Sequence, residues 1–99
     1  MKSITCGVGV LNQTPLDWDG NERRIREAIR RARADGVSLL CLPEMCIPGY
    51  GCEDAFLATW VHEMALDRLK AVLSETKGMI VSFGLPIAYN NAVFNTAAL

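Results

Sequence analysis

Apolar and polar positions along the chain switch between two periods. Ile4 to Leu11 is a short apolar, β-branched run holding two glycines, which reads as a strand buried on both faces. A polar turn, Asn12 to Asp19, follows it. Asp19 with Glu22 three residues on is a capping-box signature for a helix start. Ile25, Ala28, Ile29 and Ala32 then recur at i, i+3, i+4 and i+7, one apolar stripe of a helix that Gly36 ends. Ser38 to Leu42 predicts a second buried strand, stopped by Pro43. A loop dense in proline and glycine runs from Pro43 to Asp54. The next helix is expected from about Trp60 to Thr76, with Val61, Met64, Ala65, Leu69, Val72 and Leu73 inward. Gly78 closes it, and Met79 to Ala88 predicts a third strand containing Gly84 and Pro86. Tyr89-Asn90-Asn91-Ala92 reads as a hairpin turn, because asparagine tolerates positive φ. Val93 to Leu99 starts a fourth strand.

Two βα units with short connections imply a largely parallel or mixed sheet with right-handed crossovers. The last apolar run has neither cap nor polar tail, and a sheet ending so has an unpaired edge and an uncovered face. The expectation is therefore that residues 1–99 are the N-terminal portion of a larger α/β domain. Ninety-nine residues is one domain at most.

Composition narrows the functional classes. Hydrophobic residues make up 51% and charged residues 21%, a globular balance. The net charge of −1 points to no nucleic-acid groove and no anionic membrane surface. No apolar run reaches the ~18–20 residues of a membrane span. Met1 to Gly20 has one early lysine and lacks a small-residue cleavage site, so it does not read as a signal peptide. A cytoplasmic location is expected.

Six of the ten basic residues lie on the first helix: Arg23, Arg24, Arg26, Arg30, Arg31 and Arg33. With the core stripe intact, a solvated outer face is the expectation rather than an anion site. Cys6, Cys41, Cys46 and Cys52 are expected to stay reduced, Cys6 and Cys41 as small core residues. Gaps of five and six between the last three match no close-paired zinc pattern, so no metal site is expected. His62 has no cysteine or carboxylate constellation around it and reads as a packing or surface histidine.

The chemistry concentrates in CLPEMCIPGYGCED, Cys41 to Asp54. Glu44 stands just after a buried strand, where α/β sheets place their sites. Pro43 restricts how its side chain leaves the sheet. Partial burial there would suit Glu44 to general-base work; the alternative is a solvated loop glutamate.

These residues carry a resemblance. Pro43-Glu44 with Gly49-Tyr50 is similar to the nitrilase, or carbon–nitrogen hydrolase, superfamily. The continuation GYGCEDAF, GVGVLNQTPLDWDGN at Gly7 to Asn21, and FGLPIAYNNAVFNTAAL at Phe83 to Leu99 resemble its NAD synthetase branch, specifically the glutamine amidotransferase domain. The resemblance implies the front part of an α-β-β-α sandwich, a mixed sheet with two outer helices, and a Glu–Lys–Cys triad hydrolysing amides. Glu44 falls on the general base and Tyr50 on a tyrosine lining the glutamine pocket. The triad lysine and cysteine are implied beyond Leu99: none of the four cysteines matches the nucleophile, and neither Lys70 nor Lys77 the lysine. Glu53 and Asp54 are expected to cap the next short helical turn and to make contacts in the full assembly.

The implied substrate is glutamine, with ammonia passed to deamido-NAD in a second, ATP-using domain. No cofactor is expected in this segment; ATP and Mg belong to that second domain. A homo-oligomer is expected. A stand-alone amidase of the superfamily and a non-catalytic interaction module on the same front half remain the alternatives.

Overall fold

The computed structural model describes residues 3–99. Met1 and Lys2, part of the stretch that does not read as a signal peptide, lie outside the described residues. Four strands form one mixed sheet in the order β1 (Cys6–Val8), β2 (Leu39–Cys41), β3 (Ile80–Tyr89), β4 (Ala92–Ala98). The first three are parallel and β4 is antiparallel to β3. Helices α1 (Trp18–Ala34) and α2 (Thr59–Val72) supply the two crossovers. Asn90 and Asn91, at φ 49° and 62°, make the two-residue hairpin turn whose twist suits flanking strands.

The core lies between the helices and one face of the sheet. Ile25, Ile29 and Ala32 of α1 and Ala65 and Val72 of α2 pack with Leu40, Val81, Phe83 and Leu85. Alternation along β3 puts Val81, Phe83 and Leu85 on this face. The other face is largely bare near β1: Ile4, Val8 and Ile80 are exposed. The strand expected to be buried on both faces is thus three residues long and exposed, because an edge strand has one neighbour and here one covered face. Cys6 and Cys41 share this exposure, while Cys46 and Cys52 are buried, reversing the expectation for the first pair.

Helix α1 begins earlier than the Asp19–Glu22 pair indicates. Asp17 is the N-cap, its side chain accepting from the Gly20 N–H at 3.2 Å. Asp19 and Glu22 instead receive Arg68 of α2, at 2.8 and 3.2 Å. In α2 the last turn tightens into a 3₁₀ segment, Leu73–Thr76. Leu73, at the junction of the two, is exposed rather than inward.

The arginine stripe is only partly a solvated face. Arg23 and Arg31 are exposed. Arg26 and Arg30 both reach Glu75, at 3.1 and 2.6 Å, and Arg33 donates to the carbonyls of Glu75 and Lys77. Arg26 also donates to the Ala71 carbonyl at 2.8 Å. Arg26 and Arg33 thus satisfy carbonyls that a helix end leaves open, and with Arg30 on the Glu75 carboxylate they tie α1 to the end of α2.

Hydrogen bonding from Arg30, with help from Arg26, holds the Glu75 carboxyl below its ordinary range. A lowered folded-state value contributes stability above the unfolded value of about 4.3, lost as pH falls through the folded value. Glu75→Gln should therefore lower the urea midpoint at neutral pH, with the gap from wild type closing as the pH drops below about 4. A gap that stays constant from pH 7 to pH 3 would show that the ion pairs are not its source.

Candidate active site

Where β2 ends, the chain turns over β3. The Leu42 N–H donates to the Ser82 carbonyl at 3.0 Å, and the Ile47 N–H to the Gly84 carbonyl at 3.1 Å. The Gly84 N–H donates to Cys46 Sγ at 3.4 Å. Between these anchors, residues 43–45 lie directly on Gly84. A Cβ there would stand 2.3 Å from the Met45 nitrogen and 2.5 Å from the Pro43 carbonyl oxygen. Met45 itself takes a left-handed φ of 51°, an uncommon conformation for a side chain of its size.

The far side of this loop is clamped by the segment before α1. Asn21, fully buried, accepts the Thr14 N–H at 2.9 Å and donates to the carbonyls of Thr14 and Ile47 at 2.8 and 3.2 Å. Gln13 donates to the Cys46 carbonyl at 2.7 Å. Arg24 bonds both Gln13 and Asn21. Gly49, at φ 91°, packs its α-carbon against the Thr14 carbonyl and Pro15, where a Cβ would come within 2.7 Å. No described buried side-chain polar atom lacks a partner.

The result is a cavity of about 450 Å³ lined by Glu44, Met45, Tyr50, Gly51, Glu53, Phe56 and Asn95. Glu44 and Tyr50, the two residues singled out in the sequence, share it. Glu44 is exposed at its mouth rather than partly buried, because among the described residues nothing covers that side of the loop. Its carboxylate Oε1 accepts a hydrogen bond from the Asn95 amide of β4. Glu53 and Asp54 sit inside the first turn of a 3₁₀ segment, Glu53–Leu57, whose N-cap is Cys52; they follow the cap rather than form it. His62 contacts the Phe56 carbonyl from α2, a packing role.

The cysteines are placed unlike nucleophiles. Burial pushes the Cys46 thiol up to about 11 and raises that of Cys52 above its ordinary value, keeping both protonated and unreactive. Cys6, Cys41, Lys70 and Lys77 do not line the cavity. Among the described residues, no cluster of three or more histidine, cysteine or carboxylate side chains could hold a metal.

The sequence marks Gly84 as a strand glycine, while the roles of Asn95, Gln13 and Asn21 depend on partners distant in the chain. A glycine inside a strand is a signal of close backbone approach. A lone asparagine in the apolar run Val93 to Leu99 is a different signal, of a polar task for that side chain.

Residues 6–99 match the carbon–nitrogen hydrolase family. The chain is 37% identical over 97 residues to a glutamine-dependent NAD(+) synthetase of Oryza sativa subsp. indica, covering 96% of this chain and 13% of that protein. A synthetase of the same description from Saccharomyces cerevisiae is 36% identical, with 97% and 14% covered. The crystal structure of a glutamine-dependent NAD(+) synthetase from Cytophaga hutchinsonii superposes with a TM-score of 0.94 at 41% identity, over 97% of this chain and 17% of that one. The chain therefore spans about one seventh of the length of those curated relatives.

Gly84→Ala should force the 43–45 turn off β3. Overpacking of this kind costs about 1–3 kcal/mol, read as a lower urea midpoint. It should also break the Glu44–Asn95 contact, visible as a shift of the Asn95 side-chain amide resonances. An alanine variant with wild-type stability and unshifted resonances would contradict the seating of the turn.

Proposed function

The chain belongs to the carbon–nitrogen hydrolase family, and we propose that it supplies the general base of a glutamine-hydrolysing site in a longer, NAD-forming enzyme. The observation that carries this reading is Glu44 at the mouth of a cavity shared with Tyr50, on a turn that the backbone itself holds in place. The similarity to glutamine-dependent NAD(+) synthetases over nearly the whole chain supports the choice of glutamine as substrate. On this reading, residues 1–99 are the N-terminal portion of the hydrolase domain. The bare sheet face receives the second sheet of the sandwich.

A thiol with an ordinary pKa of ~8.5 is mostly protonated at neutral pH, so a base must activate it. Glu44 takes that proton as the sulfur attacks the side-chain amide carbon of glutamine. Glu44 hands that proton to the leaving nitrogen as the C–N bond breaks, so ammonia departs, a thioester remains and Glu44 is again a carboxylate. Water then attacks the thioester while Glu44 accepts its proton and returns it to the departing sulfur, releasing glutamate and the free thiol. Tyr50 packs against the substrate from the cavity wall. The nucleophilic cysteine and an oxyanion-stabilising lysine come from residues after Leu99, consistent with the placement of the four cysteines and two lysines described above. Ammonia then amidates adenylylated deamido-NAD in a separate domain, which is where ATP and Mg belong.

Two arms test the proposal. The 99-residue chain alone should release no ammonia from glutamine above a protein-free blank. In the full-length enzyme, Glu44→Gln should cut glutamine-driven NAD formation by at least ~10²–10⁴-fold, the usual cost of a lost general base. NAD formation from supplied ammonium should persist. Equal loss with both nitrogen sources would assign Glu44 a structural role. Absence of ATP-dependent NAD formation in the wild-type enzyme would favour a stand-alone amidase.

A further inference from the structure

The contact that fixes the Glu44 side chain comes from 51 residues away, from the amide of Asn95. A carboxylate is acceptor-only, so the Asn95 NH₂ is the group that faces it. Asn95 lies opposite Pro86 in the β3–β4 register, two positions along β3 from the Gly84 that carries the turn. Both side chains line the same cavity. Asn95 is exposed and belongs to an otherwise largely apolar strand, so core packing does not account for it. Its amide engages Oε1 and so selects one orientation of the carboxylate. Among the described residues Oε2 has no hydrogen-bond donor and remains the oxygen free to take a proton.

We infer that Asn95 is a positioning residue for the general base, holding Glu44 in the orientation that accepts the thiol proton. The inference rests on the glutamine-hydrolysing reading above. A base displaced by about 1 Å can lose ~10²-fold in rate while substrate binding is untouched. The effect therefore belongs on kcat and not on KM.

The experiment uses the full-length enzyme with Asn95→Asp, Asn95→Ala and Glu44→Gln, alone and combined. Asn95→Asp keeps the shape, removes the donor and places a second carboxylate beside Glu44. Both Asn95 variants should lower kcat for glutamine hydrolysis by about 10²-fold with KM within about twofold of wild type. Ammonium-driven NAD formation and the melting temperature should not change. In the Glu44→Gln background, Asn95→Asp should cause no further loss, since the group it positions is gone. Wild-type kcat in Asn95→Asp, an additive loss in the double variant, or a joint fall of kcat, ammonium-driven activity and melting temperature in both Asn95 variants would each overturn the inference. Wild-type glutaminase activity in Glu44→Gln would instead overturn the reading beneath it.

Discussion

The absence of a side chain at Gly84 lets two backbones touch, and the site depends on that contact. The 43–45 turn rests where a Cβ would stand 2.3 Å from the Met45 nitrogen. Hydrogen bonds on either side, from Leu42 to Ser82 and from Ile47 to Gly84, leave the turn little freedom to lift. The positive φ at Met45 is tolerated because these neighbours over-determine it. Glu44 is thereby presented by backbone geometry, before any side-chain contact is made. A strand-borne platform of this kind places a reacting group more reproducibly than a free loop.

A second constraint acts from the opposite side. Gln13 and Asn21 spend their amides on the carbonyls of Cys46 and Ile47, joining the segment before α1 to the loop after β2. A satisfied hydrogen bond adds only about 0.5–1.5 kcal/mol net, whereas leaving a buried partner unpaired costs about 1–3 kcal/mol. The network therefore selects one loop geometry more than it raises stability. The arginines of α1 do comparable work at the other end of the helices, where Arg26, Arg30 and Arg33 fasten the end of α2. Between the two clamps lies an ordinary apolar core.

Local rules were enough for much of this. The period of Ile25, Ile29 and Ala32 and the paired asparagines at 90 and 91 each state their structure in neighbouring residues. Glu44 was legible because it stands just after a predicted strand, whereas Tyr50 was legible only through the resemblance of Gly49-Tyr50 to the family's pattern. What stayed hidden depends on partners distant in the chain. An apolar run such as Ile4 to Leu11 does not reveal whether its second face is covered, so β1 read as buried and is exposed. The Asp17 cap was masked by Asp19, a better sequence match whose side chain is drawn away by Arg68. Asn95 and Gln13 act across separations of 51 and 33 residues, which no local pattern encodes.

The central claim is that this scaffold presents Glu44 as the proton acceptor for a nucleophilic thiol. It is tested most directly by single-turnover capture of that thiol in the full-length enzyme, using a glutamine analogue with an electrophilic carbon at the amide position. At saturating analogue and neutral pH, Glu44→Gln should slow covalent capture by about 10²–10⁴-fold relative to wild type. Capture at the wild-type rate would mean that the thiol is activated without Glu44, and would contradict the account.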